Sequence, residues 1–310
     1  VDRGSYLSLK IQATDIVRNT SEARNQDSCI ASGLILYAWE SYDSAGSLEG
    51  VYATVLDQAS GAVLQAETLI DATAVNPRCV ALGNNPTLVY ADTSSSPYVI
   101  KSTQVDTDNP TSFKATKTIA SDLKAATPYL DVSVFSTSST NGSAVCAYVN
   151  NTSNTITLVY LTLDGSAGQP SNGYPGSANF ASSNAEDGIA ITCDVYNTAS
   201  TTQERIYVGY WANSGSEGLI LKRFSNLFNL EDTDDHLIRS AVYDPASNAI
   251  TSAAADLKRS VGLAGKMFEF GDVVYFIGVH GSELQPTYFV FDFSGLIIAK
   301  LLPGGASGLP

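Results

Sequence analysis

The stretch Asn76-Pro-Arg-Cys-Val-Ala-Leu-Gly83, followed after one residue by Asn85-Pro-Thr-Leu-Val-Tyr-Ala91, decides how the chain reads. A short apolar strand runs into a Gly-Asn turn, and a stronger strand ending in an aromatic residue runs back out. β-branched and aromatic enrichment bounded by Gly, Pro and Asn is the signal of a hairpin. Working outward, the same unit recurs. It appears earlier as Asp27-Ser-Cys-Ile-Ala-Ser-Gly-Leu-Ile-Leu-Tyr-Ala-Trp39. It returns as Thr127-Pro-Tyr-Leu-Asp-Val-Ser-Val-Phe135 with Ser143-Ala-Val-Cys-Ala-Tyr-Val149. A fourth copy is Asp187-Gly-Ile-Ala-Ile-Thr-Cys193 with Arg205-Ile-Tyr-Val-Gly-Tyr-Trp211. The fifth is Arg259-Ser-Val-Gly-Leu-Ala264 with Asp272-Val-Val-Tyr-Phe-Ile-Gly-Val279.

Unit starts at 27, 76, 127, 187 and 259 lie 49, 51, 60 and 72 residues apart. Each hairpin is followed by an alternating third strand, such as Gly50–Leu56, Tyr98–Val105, Thr155–Leu161, Gly218–Phe224 and Thr287–Phe293. A weaker fourth follows in places, as at Ala62–Ile70. Four strands in roughly 40–50 residues is the period of a propeller blade. The expected fold is therefore all-β, a β-propeller of about five four-stranded blades, with tandem β-sandwiches as the alternative. The first strand of each unit belongs beside the axis, where space favours small apolar residues such as Cys79-Val-Ala81 and Ile189-Ala-Ile191.

Residues 1–26 read as an N-terminal strand (Tyr6–Thr14) and lead-in that closes the ring. Residues 27–301 form the propeller, and 302–310 a Gly/Pro-rich tail or linker. The chain opens on Val1 without an initiating Met, as a processed product or a piece of a longer polypeptide would. Two insertions, Ser171–Ser177 and about Asn226 to Ala255, belong on a rim of the ring.

Composition agrees with many short strands and turns. Apolar residues make up 44% of the 310 and charged residues only 15%, the difference being filled by Ser, Thr, Asn, Ala and Gly. With 17 basic against 31 acidic residues the net charge is −14. Affinity for nucleic acid comes from cations that neutralise phosphates, so specific nucleic-acid binding is not expected. No run of 18 apolar residues occurs, and no membrane span is read. Cys29, Cys79, Cys146 and Cys193 form no CxxC pair and sit among apolar neighbours, which reads as reduced core thiols rather than zinc ligands or disulfides.

The sequence shows no recognisable catalytic motif. His236 and His280 have no second histidine at metal spacing and read as surface or loop residues. No Gly-x-Ser-x-Gly elbow and no phosphate-cradling glycine loop occur. Asp106-Thr-Asp108 and Asp232-Thr-Asp-Asp235 lack the glycine and terminal Glu of a calcium loop, and read as solvated turns. No catalytic, metal-binding or cofactor-binding residue is assigned, and no cofactor is expected. The alternative is a carbohydrate-binding or glycoside-hydrolysing propeller, which needs a pair of carboxylates. Asp43, Asp92, Asp131 and Asp194, all beside strands, are its candidates, while Ser41-Tyr-Asp-Ser-Ala-Gly46 is no more than a fragment of a sialidase-type Asp-box.

Three stretches, Val17–Ser28, Gly50–Val63 and Asp292–Lys300, resemble the propeller segments of large bacteriophage virion proteins, among them tail hub and nozzle components of short-tailed phages. That resemblance implies a non-enzymatic structural component of a virion, a rigid scaffold in the tail. Its partners would be other virion subunits within a symmetric homo-oligomer, and it defines no catalytic residues.

Overall fold

A computed structural model describes residues 22–301 apart from the connecting segments 126–128, 136–142, 152–154, 171–172, 182–184, 198–201, 213–217, 232–235, 240–241, 245–248, 252–256, 269–270, 281–284 and 293–296. Beyond residue 231 the description is one of backbone and strand register. The described residues contain strands and turns and no helix, so none is long and apolar enough to cross a membrane.

Four antiparallel strands in chain order make each blade. Blade 1 comprises β1 (Glu22–Ala31), β2 (Leu34–Tyr42), β3 (Leu48–Asp57) and β4 (Val63–Asp71). Blade 2 comprises β5 (Ala74–Leu82), β6 (Asn85–Asp92), β7 (Tyr98–Gln104) and β8 (Lys117–Leu123). Blade 3 follows with β9 (Leu130–Val134), β10 (Ala144–Asn150), β11 (Thr155–Leu161) and β12 (Ser177–Ala181), joined to blade 2 by one pair, Asn150 with Leu123. Blade 4 is β13 (Ala185–Asn197), β14 (Thr202–Ala212), β15 (Gly218–Ser225) and β16 (His236–Arg239). A hairpin, β17 (Val242–Asp244) with β18 (Ala249–Thr251), separates it from blade 5. That last sheet holds β19 (Leu257–Phe268), β20 (Gly271–His280), β21 (Gln285–Asp292) and β22 (Ile297–Leu301).

Blades 2 and 3 each have their two faces buried by different neighbours, as blades of a propeller do. On β6, Leu88 and Tyr90 join Leu36, Ala38, Val51, Ala53 and Val55 of blade 1. The alternate residues Val89 and Ala91 join Leu130, Cys146 and Leu161 of blade 3. On β10 the alternation repeats: Ala144, Cys146 and Tyr148 face blade 2, while Val145, Ala147 and Val149 face Ile191, Val208 and Phe224 of blade 4. Successive side chains of a strand point to opposite faces. A sandwich would bury one face of each sheet and leave the other to water. Continuous burial along β6 and β10 excludes it.

Within blade 1 the two middle strands are the most buried, and β1 and β4 are largely open. Each first strand packs against the next: β1 on β5, β5 on β9, β9 on β13 and β13 on β19. The first strands thus line the axis, as the sequence anticipates. Gly50 shows how tightly the ends of strands cross. Its φ is +125°, and a Cβ there would collide with the carbonyl oxygen of Asp71.

Several expectations need adjusting. The first strand begins at Glu22, ahead of Asp27. Part of the stretch 226–255 is β16, the outer strand of blade 4, with the β17–β18 hairpin as the added element. His236 opens β16 and His280 ends β20. Cys146 and Cys193 are buried as expected, whereas Cys29 and Cys79 are half-buried; all four are free thiols. Tyr6–Thr14, Asp232–Asp235 and 302–310 lie outside the described residues.

Leu88 is wholly buried between blades 1 and 2, while Ile30 on the axial strand is 54% exposed. Urea unfolding should show Leu88→Ala costing about 2–5 kcal/mol through lost contact and a cavity. Ile30→Ala should stay within about 0.5 kcal/mol. Equal costs would contradict the burial of β6 on both faces.

Candidate functional site

The axial strands bring three charged side chains together. Asp27 on β1 and Arg78 on β5 occupy the same place in their hairpins, paired across with Ala38 and Val89. Each follows a β-bulge, the register shifting between Arg24 and Asp27 and between Val75 and Arg78. An asparagine with positive φ sits in each bulge, Asn25 at 49° and Asn76 at 52°. Asparagine accepts the left-handed region more readily than other residues with a Cβ, and bulges re-aim the side chains beside them. Asp131 comes from the short axial strand β9 of blade 3.

Arg78 Nε stands 3.3 Å from Asp131 Oδ1, with side-chain exposures of 28% and 21%. Asp131 Oδ2 accepts the N–H of Ile191 on blade 4 at 2.8 Å. Asp27, half-buried, accepts the N–H of Cys79 through Oδ2 at 2.8 Å and that of Ser28 through Oδ1 at 2.8 Å. Beside Asp131, Ser133 Oγ accepts the N–H of Cys193 at 3.0 Å. Side chains of one axial strand thus satisfy backbone donors of the next, from blade 1 to blade 2 and from blade 3 to blade 4.

Burial is the main influence on Asp131 and pushes its carboxyl up to about 6 from an ordinary 3.8. Arg78 and the N–H groups of Ile191 and Val132 oppose that rise, and the charge of Asp27 adds to it. Asp131 therefore holds a proton well into the mildly acidic range, and its side chain stays partly exposed. A carboxylic acid that gives up its proton near pH 6, within the field of a second carboxylate, is equipped for proton transfer.

The other three candidate aspartates stand elsewhere. Asp43 closes the β2–β3 turn, accepting the N–H groups of Ala45 and Ser47 at 2.8 Å each. Asp92, at the end of β6, is bound by Lys101 Nζ at 2.6 Å and accepts the Thr73 hydroxyl and the Ser94 N–H. Burial alone would raise its carboxyl, but these donors outweigh that and hold it below the usual range. Asp194 is buried on β13 opposite Arg205. Asp106 is consumed by its own turn, accepting the N–H of Asp108 at 3.3 Å. Among the described residues no group of three metal-ligating side chains occurs. Asp27 and Arg78 were missed as site residues. Their equal distance from the hairpin turn, four residues before Ala31 and Leu82, is the signal that pairs them.

No protein-family model matches the chain, and no curated protein does. Solved structures do. An α-L-arabinofuranosidase from Podospora anserina is 10% identical, with 86% of each chain covered and a TM-score of 0.42. An arabinanase from Bacillus subtilis is 9% identical over 88% of this chain and 95% of that one, with a TM-score of 0.40. AofleA from Arthrobotrys oligospora is 10% identical over 88% and 70%, with a TM-score of 0.50. At such identity the likeness bears on the fold alone. The expectation of a non-enzymatic virion scaffold is corrected here. The resemblance that suggested it has no counterpart in these comparisons, which return glycoside-acting enzymes instead. The physical reason for the error is that a propeller's repeat is set by blade packing and is shared by proteins of unrelated function.

Because Asp131 binds its proton more tightly when folded, the stability it gives is fully present below about pH 3.8 and is lost as pH rises through about 6. Urea unfolding of wild type and Asp131→Asn at pH 4, 5, 6 and 7 should show wild type losing stability relative to the variant as pH rises. A difference independent of pH would contradict the elevated carboxyl.

Proposed function

We propose that the protein is a glycoside hydrolase that works from the axial end of its propeller. Asp131 is the proton donor and Asp27 the second carboxyl group of the pair. The observation that carries this reading is the Asp131 carboxyl, paired with Arg78 and within the field of Asp27, holding its proton to about pH 6. Cleaving a glycosidic bond needs an acid to protonate the departing oxygen and a carboxylate to activate water or attack the anomeric carbon. Two like groups take these separate roles when their surroundings push their pKa values apart.

Arg78 is a positioning residue in this scheme. Its guanidinium holds Asp131 Oδ1 in place, while the Ile191 N–H fixes Oδ2. The remaining exposure of Asp131 leaves room for a leaving-group oxygen to approach. Removing Arg78 takes away a favourable charge and should raise the Asp131 carboxyl further.

A screen of p-nitrophenyl glycosides and of arabinan, galactan and xylan should reveal release of reducing sugar. The rate should fall as pH rises above about 6. Asp131→Asn and Asp27→Asn should each lower kcat by roughly 100-fold or more, and Arg78→Leu should move the alkaline limb upward. No hydrolysis of any substrate, or full activity in both aspartate variants, would overturn the assignment.

A further inference from the structure

Two of the four thiols meet across a junction between blades. Cys29 lies on β1 and Cys79 on β5, each on the axial strand of its blade. The Cys79 backbone N–H donates to Asp27 Oδ2 at 2.8 Å, and its Sγ lies 3.5 Å from the carbonyl oxygen of Asp27. Cys29 stands two residues further along β1, on the same face as Asp27. Both cysteines pack against one apolar cluster between blades 1 and 2. Both are half-buried, whereas Cys146 and Cys193 are buried.

We propose that Cys29 and Cys79 are a dithiol site, oxidised by a small disulfide to a cross-link that staples the axial strands of blades 1 and 2. One thiolate attacks the disulfide, breaking its S–S bond and releasing one thiol. The second cysteine then attacks the mixed disulfide, forming the Cys29–Cys79 bond and releasing the other thiol. Two electrons and two protons pass to the two small thiols released. Burial is the main influence holding the Cys79 thiol well above its ordinary value, and this keeps the reduced form from reacting with weak oxidants at neutral pH. The cross-link would fix Asp27 against the strand that carries Arg78, although the proposal stands whether or not those residues cleave glycans. It would also close a loop of about fifty residues, restricting the unfolded chain.

The test is incubation of the full chain with millimolar oxidised glutathione at pH 8, then a non-reducing peptide mass map. The expected result is a Cys29 peptide joined to a Cys79 peptide, about two mass units below the sum of the reduced pair because two hydrogens leave, with Cys146 and Cys193 unmodified. The melting temperature should rise by about 5 °C and fall back with dithiothreitol. Cys29→Ser should fold and show no such rise. Stable glutathione adducts on either cysteine without a cross-link, four free thiols after incubation, or a cross-link through Cys146 or Cys193 would each overturn the proposal.

Discussion

No single sheet of this protein can hide its own two apolar faces. On β6 and β10 the residues of the strand core are buried, with odd and even positions committed to different neighbours. Apolar area removed from water contributes about 25 cal/mol per Å², and that term is available to a blade only when it has another on each side. The arrangement of sheets about an axis follows from this requirement. So does the placement of the first strands, which are the narrow ends of the wedges and are left facing one another.

At those narrow ends the chain must satisfy backbone donors that adjoining sheets cannot pair directly. Asp27, Asp131 and Ser133 do so, accepting N–H groups from the axial strand of the following blade. A buried carboxylate is costly unless its oxygens are occupied. For Asp131, one oxygen takes a backbone N–H and the other faces Arg78. Burial still outweighs these partners, so the group that joins blades 3 and 4 is also one that exchanges a proton in mildly acidic solution. Structural linkage and chemical capacity reside in the same atoms. The side chains that link the blades stand on axial strands rather than on loops.

Much of the architecture was legible in the sequence because the period of the repeat is physical. Hairpins such as Arg78–Leu82 with Asn85–Val89 have a turn chemistry and an alternation that survive loss of sequence similarity. Where the period stretches, the reading blurred: β16 lay hidden within the stretch 226–255, because a 4-residue edge strand of mixed polarity looks like a loop. The site was less legible. Asp131 was one of four aspartates placed beside strands, and nothing in spacing separated it from Asp43, which caps a turn, or Asp92, which binds Lys101. Contacts between residues 78 and 131, or 131 and 191, are made across blades and leave no local trace. A blade pattern of the kind shared with virion propellers reports packing and is silent on what stands at the axis.

The most direct test of the account is a carbon-13 NMR titration of the aspartate carboxyls in wild type and in Asp27→Asn. The axial carboxylates are predicted to share one field, so the Asp131 signal should titrate near 6 and move lower when Asp27 is neutralised. A midpoint near the ordinary 3.8 that is indifferent to residue 27 would mean that the two carboxylates do not meet at the axis, and the chemistry assigned to them would fall.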